Sequence, residues 1–341
     1  MGITSKQIAE LVGVSRGTVD RALHRRGGVK PEIQRRVEML AREYGYRPDR
    51  AGKALVTREP LRVGVILNSK GNPFYEEVRR GLTEALGAFS DFSIDMDLRE
   101  SGGYRVEDQL AAVEEAEAAG AAGLLITPLN RPEVAERLNA YIDAGHPVVA
   151  LNSDIEGCRR LAYVGCDYRR SGQTAAQMMG LVTGGTGRVL VVTGSLRVMG
   201  HNQRVAGFSQ VLAAHYPDLV IEDVVDTNDD EERAAEEVAA ALRAHPAIDA
   251  LYFSAGGVSG GVGAALREAG GRRLTIITSD LTADIRRWLE EGTVQATIGQ
   301  QPYRQGYDGM KLLLDRLLFR ESPETPFCYT SNEVLVRYNA D

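Results

Sequence analysis

Only three cysteines occur in 341 residues, Cys158, Cys166 and Cys328. An odd, scattered set without a CxxC spacing excludes a disulfide scaffold and reads as reduced packing residues. The five histidines fall neither into HExxH nor into ligand spacing with those cysteines, so no metal is expected. No apolar run reaches the roughly 20 residues of a membrane span, and no apolar segment opens the chain, so a cytoplasmic protein off the membrane is expected. There is no GxxxxGK[ST], and no GxGxxG follows the first strand of either half of the body, so no nucleotide cofactor is expected. Gly257-Val258-Ser259-Gly260-Gly261 satisfies GxSxG literally. A hydrolase with that motif needs a histidine later in the chain, and the last one is His245, so the stretch reads as a glycine-rich helix start and no enzyme is expected. Gly184-Gly185-Thr186-Gly187 precedes a strand pattern and reads as a turn.

What the chain does hold is unevenly distributed. Its length suits two or three domains, and a hydrophobic content of 43% can fill their cores. The net charge of -7 hides a split: residues 1–59 carry 13 Lys/Arg against 7 Asp/Glu, a net +6, and the remainder 27 against 40, a net -13. A basic N-terminal segment can neutralise phosphates and release counterions, while the acidic body is repelled from a polyanion.

Within the basic segment, residues 4–24 read TSKQIAELVGVSRGTVDRALH. Two short helical patterns meet at Val12-Gly13-Val14. Thr4 with Gln7 forms a capping box for the first, and the Ser15 hydroxyl can cap the second. Ile8, Ala9, Val14, Val19 and Leu23 pack the helices together and leave Arg16, Gly17, Thr18 and Arg21 outward. That is the pattern of a DNA-reading helix-turn-helix. The run from Ile3 to Leu55 resembles the DNA-binding region of the LacI/GalR repressor family, through Ile3-Thr4, Ile8-Ala9, Gly13-Val14-Ser15, Thr18-Val19, Arg21, Val29, Arg36-Val37, Tyr46, Pro48, Ala54 and Leu55. The resemblance implies a third helix at 31–44, then a hinge helix that inserts Leu55 into the minor groove of operator DNA, with two copies on a near-palindromic site. The implied DNA-contacting set is Thr4, Ser15, Arg16, Gly17, Thr18, Arg21, His24 and Leu55. Asp49, Gly52-Lys53 and Asp20 depart from the family pattern. Gly52 costs roughly 1 kcal/mol of helix propensity against alanine, so a hinge that orders only on DNA is expected.

The body alternates short apolar runs with amphipathic helices, the pattern of doubly wound parallel sheets. Strands are predicted at 62–67, 92–97, 123–127 and 148–151, with helices at 74–88, 106–119 and 132–144. A second series follows, with strands at 188–193, 220–225, 250–254, 274–278 and 296–300 and helices at 203–215, 231–245, 258–269 and 283–291. Two sheets in series imply two lobes with a cleft at the strand carboxyl ends. The body resembles ribose-binding-type periplasmic proteins, through Asn72-Pro73-Phe74-Tyr75, Val148 to Asn152, Gln203 to Phe208, Thr278-Ser279-Asp280 and Thr297 to Gln300. Ligand contacts implied by the resemblance are Asn72, Phe74, Tyr75, Asn152, Arg204, Asp280 and Gln300. The chemistry suits a polyol: an arginine fork donates, an aspartate accepts, amides do both, and rings cover an apolar face. Asn152-Ser153 stands where many sugar binders carry Asp-Arg, and Ala255-Gly256-Gly257 where Asn-Asp is common, so a simple ribose site is not expected.

The expected organisation is an all-α headpiece at 1–47, a hinge at 48–60 and an α/β two-lobed, periplasmic-binding-protein-like domain at 61–341. The expected function is a homodimeric transcription regulator, a repressor before an activator, whose hold on operator DNA answers to a small sugar-like effector. A transport binding protein would account for the body alone.

Overall fold

The computed structural model describes residues 5–23, 27–43, 60–70, 72–194, 198–255 and 258–340. Thr4, His24, Leu55 and residues 48–59 of the hinge predicted at 48–60 lie outside the described residues. Met1–Leu61 with Phe89–Ile94 form one compact unit, and Arg62–Ala88 with Asp95–Asp341 another.

In the first unit, α1 (Ser5–Val12), α2 (Arg16–Leu23) and α3 (Pro31–Glu43) enclose a small core. Ile8, Val19, Ala22 and Val37 are fully buried there, with Val12, Val14, Leu23, Val29, Ile33 and Ala41 packed around them. The corner between α1 and α2 turns at Gly13, whose φ of 74° is a left-handed conformation that costs glycine little. The N–H groups of Gly13 and Val14 both bond the Ala9 carbonyl, which closes α1.

The second unit contains two parallel sheets. The first takes β1 (Leu61–Asn68), β2 (Ile94–Ser101), β3 (Leu124–Ile126), β4 (Val148–Leu151), β5 (Ala162–Cys166) and β11 (Phe327–Thr330), in the order β11-β5-β4-β3-β1-β2. The second takes β6 (Gly187–Thr193), β7 (Leu219–Asp226), β8 (Ala250–Phe253), β9 (Thr275–Ser279), β10 (Ala296–Gly299) and β12 (Glu333–Leu335), in the order β12-β10-β9-β8-β6-β7, with β12 antiparallel to β10. The central strands are buried on both faces and read as continuous apolar runs, as parallel strands under helices must.

Helices α4 (Phe74–Gly87), α5 (Val106–Ala118), α6 (Pro132–Asp143) and α12 (Pro302–Phe319) serve the first sheet. The second is served by α7 (Tyr168–Thr183), α8 (Met199–His215), α9 (Glu231–Ala244), α10 (Val258–Ala269) and α11 (Ala283–Glu291). The lobes are therefore not consecutive in the chain, contrary to the two sheets in series that the sequence pattern suggests. The chain passes to the second lobe after β5, returns after β10 to lay α12 against α4, and leaves again between β11 and β12.

Five elements escape the pattern: β5, α7, α12, β11 and β12. β2 begins at Ile94 and runs to Ser101, later than predicted, and α8 begins at Met199, before the predicted start. α10 begins at Val258, so the GxSxG stretch is a helix start; Gly184, in a left-handed conformation, caps α7 within the predicted turn.

Candidate functional site: a recognition helix and an interlobe cleft

The Ser15 hydroxyl caps α2 by accepting from the Thr18 N–H at 3.1 Å, and it also bonds the Thr18 hydroxyl at 2.9 Å. Arg21 Nη2 donates to that hydroxyl at 3.4 Å, which leans the arginine toward the start of the helix. Ser15, Arg16, Gly17 and Arg21 are exposed and Thr18 is half-buried, whereas Val19 and Ala22 on the opposite side are buried. Burial of one side thus presents a polar strip with two guanidiniums on the other. Of the predicted DNA-contacting residues, these five share that strip.

All seven residues predicted to bind a ligand line one cavity of about 110 Å3 between the two lobes. Each follows the carboxyl end of a strand or starts the next helix. Asn72, Phe74 and Tyr75 follow β1, Asn152 follows β4, Arg204 lies in the first turns of α8, Asp280 follows β9 and Gln300 follows β10. Asn152 and Asp280 have φ values of 63° and 68°, left-handed conformations that Asn and Asp tolerate better than most residues.

A polar chain runs along the cavity from one lobe to the other. Tyr75 Oη donates to Asn152 Oδ1 at 3.4 Å, and Asn152 Nδ2 donates to Gln305 Oε1 at 3.2 Å. Gln305 Nε2 donates to the Gln300 carbonyl at 2.8 Å, and Gln300 Nε2 to Asp280 Oδ1 at 2.8 Å. Arg204 Nη2 lies 4.0 Å from that same carboxylate oxygen, and Arg204 Nη1 donates to the Ser254 carbonyl at 2.7 Å. The amide of Gln300 is thus engaged inside the protein at both ends and holds Asp280. Asn72 is half engaged, because its Oδ1 accepts from the Phe74 N–H at 3.0 Å at the start of α4.

Arg204 is 2% exposed, and its Nε and Nη2 make no hydrogen bond. Buried donors of a charged group without acceptors are costly, so they favour an acceptor brought by a ligand. Burial acts to lower the Arg204 pKa, but the Asp280 carboxylate and smaller contributions from Cys166, Tyr168 and Tyr252 together outweigh it, and the guanidinium stays charged. Burial pushes the Asp280 carboxyl up, and Arg204 and Gln300 pull it back. Tyr75 and Tyr168 are raised far above the ordinary phenol by burial, so both remain neutral donors. Cys166, whose thiol reaches Gln300 Oε1 at 3.3 Å, is pushed up to about 12 by burial and is no thiolate nucleophile.

Several lining residues were missed from the sequence. Tyr168 donates to the Asn152 carbonyl at 2.6 Å and lays its ring 4.8 Å from the Arg204 guanidinium carbon. Its signal was the apolar run of β5 followed by Asp167, which caps α7 by accepting from the Arg170 N–H. Asp229 follows β7 in an Asn-Asp-Asp cluster, a turn signal at a strand end. Arg131 precedes Pro132 at the start of α6, and Asn68, Tyr104, Asn130 and His201 complete much of the polar lining. Among the described residues no His/Cys/Asp/Glu group could hold a metal ion, and no helix is long and apolar enough to cross a membrane.

Residues 4–49 match the lacI family of bacterial regulatory proteins, and residues 63–321 the periplasmic binding protein domain family. The chain is 26% identical over 334 residues to the HTH-type transcriptional regulator CelR of Thermobifida fusca, covering 92% of each. It is 27% identical over 256 residues to the ribose operon repressor of Bacillus subtilis, covering 74% of this chain and 72% of the repressor. Among solved structures, the glucose-galactose binding protein GanP of Geobacillus stearothermophilus superposes with a TM-score of 0.75 at 24% identity, over 82% of this chain and 98% of GanP, a likeness of fold.

Proposed function

Since the chain belongs to the lacI family of bacterial regulatory proteins and carries a periplasmic binding protein domain, we propose that it acts as a repressor: a cytoplasmic, non-enzymatic homodimer whose affinity for operator DNA is set by a small sugar or sugar-like ligand in the interlobe cleft. The proposed organisation keeps the headpiece at 1–47, the hinge at 48–60 and the sensor at 61–341.

The observation that carries this reading is the pairing, in one chain, of an exposed arginine-bearing recognition helix with a polar cleft in which two nitrogens of the buried Arg204 lack acceptors. On DNA, Arg16 and Arg21 would reach base edges in the major groove, where an arginine fork pairs with guanine O6 and N7. Ser15 and Thr18 sit at the helix start, the place from which backbone phosphates are held. Leu55 remains the proposed minor-groove wedge. In the cleft, Asn72, Phe74, Tyr75 and Asn152 come from one lobe and Arg204, Asp280 and Gln300 from the other. A ligand touching both sets favours one lobe arrangement and shifts its population, and an arrangement that alters the hinges of a dimer alters DNA affinity. A transport binding protein would need the cleft but not the recognition helix.

The test has two arms. Selection of DNA from a random pool should return a near-palindromic site, and Arg21→Ala should flatten preference for it by about 1 to 3 kcal/mol while the melting temperature holds. Titration of that site with and without a stabilising sugar should then show a ligand-dependent change in affinity. Absence of any preferred site would end the regulator reading.

A further inference from the structure

Three helices start at the cavity: α4 at Phe74, α6 behind Arg131 and α8 at Met199. None receives a side-chain hydrogen bond from its N-cap residue, Pro73, Arg131 or Val198, and at α4 the Asn72 side chain takes that place. Converging helix starts direct the positive ends of their dipoles over the space they face. Two guanidiniums add to it. Arg204 is buried with two nitrogens unbonded, and Arg131 lines the cavity from the opposite lobe with no side-chain hydrogen bond or ion pair among the described residues.

The acidic groups on the same wall narrow the choice. Asp280 lies 4.0 Å from Arg204, and Asp229 shares the space over Gly194 with His201. Asp280 thus has a guanidinium beside it, and Arg131, exposed at the cavity, is a guanidinium with no ion pair among the described residues. A neutral sugar would satisfy Asp280 and Asn72 but make no use of Arg131. A phosphate dianion would bring its second charge against two carboxylates. A single carboxylate on a polyhydroxylated frame meets both conditions: its hydroxyls go to Asp280 and Asn72, and its charge to Arg131 in a bidentate pair.

We propose that the cleft takes a sugar acid, an aldonate or a uronate, with Arg131 as the residue that selects its carboxylate over a neutral hydroxymethyl group. The inference rests on the cleft being the effector site.

Calorimetric titration of the full chain with D-gluconate and D-galacturonate, against D-glucitol, D-galactose and glucose 6-phosphate, tests it. At least one acid should bind, roughly tenfold or more tighter than its neutral counterpart. Arg131→Gln should remove that preference and Arg131→Lys restore part of it, with the melting temperature of the free protein unchanged in both. Equal affinity for acid and neutral partner, tighter binding of the phosphate, no binding of either acid, or an unaltered acid affinity in Arg131→Gln would each overturn the proposal. A neutral sugar that binds and changes operator affinity would leave the regulator reading standing and remove the acid. An acid that binds through Arg131 without changing operator affinity would do the reverse.

Discussion

The two lobes share one construction and differ in what they place on the cavity between them. In each, a helix that starts at the cleft packs face to face with a helix reached by a crossover: α4 with α12 in the first lobe, α8 with α7 in the second. Both pairs close on glycines. A Cβ at Gly81 would run into the Tyr303 carbonyl, and one at Gly306 into that of Val78; a Cβ at Gly172 would run into the Arg204 carbonyl, and one at Gly207 into that of Arg169. Yet the first lobe lines the cavity mainly with rings and neutral amides, Phe74, Tyr75, Asn72 and Asn152, and with the exposed Arg131, whereas the second lines it with the buried Arg204 and with Asp280 and Asp229. Neutral groups lose little when the cleft is empty. A buried guanidinium with idle donors does not share that indifference, so the buried charge most in need of an outside acceptor lies in the second lobe.

The sharpest way to break this contrast is Arg204→Lys. An ammonium keeps a positive charge near Asp280 but cannot reproduce the fork or the bond to Ser254. Two charge-assisted hydrogen bonds at about 1.5 to 3 kcal/mol each imply a loss of ligand affinity of roughly a hundredfold or more, read by calorimetry, with operator binding retained in the absence of ligand. Undiminished affinity would mean that the second lobe does not dominate.

Next in size are the helix contacts. Gly172→Ala and Gly81→Ala should each cost about 1 to 3 kcal/mol of stability through overpacking, measured by urea unfolding. Only Gly172→Ala should also weaken ligand binding, because the backbone it displaces carries Arg204. Equal effects on binding from both would erase the distinction between the lobes.

The smallest effects are expected at the phenols. Tyr168→Phe keeps the ring beside Arg204 and loses the 2.6 Å bond to the Asn152 carbonyl, for about 0.5 to 1.5 kcal/mol of stability by thermal melting. Tyr75→Phe gives up a longer contact of 3.4 Å and should cost less than Tyr168→Phe. The reverse ranking would show that the first lobe holds Asn152 more firmly than the crossover residue does.

Much of this was legible along the chain. The helix-turn-helix could be read because its information is local: Ser15 caps within three residues, Gly13 turns the corner, and the apolar positions recur at helical spacing. The central strands could be read because parallel strands buried on both faces are short, apolar and β-branched. The elements that escaped notice lack such signals. Between Tyr168 and Met179, α7 buries Ser171, Gly172, Ala175 and Ala176, and Gly180 after them, so its packing surface is mostly small residues and not a leucine stripe. β11 sits at a sheet edge with Phe327 and Tyr329 exposed, and β12 is three residues long. Among the cleft residues, those found follow strands called from the sequence, but Asp229 after β7 and Arg131 after β3 escaped because loop polarity alone does not mark them, and Tyr168 follows the unrecognised β5.

By itself the sequence determined the local chemistry: which segments are helix or strand, which residue caps the recognition helix, and which polar side chains follow the strands at the carboxyl ends where α/β sheets bind ligands. Those properties depend on neighbours a few positions apart. Only the tertiary structure decided that the chain crosses between the lobes three times, that Gln300 holds Asp280, and that Arg204 is buried beside Tyr168 with donors to spare. Residues 131 and 204, or 152 and 305, are brought together by sheet order and helix packing, and no periodicity along the chain encodes a meeting between positions so far apart.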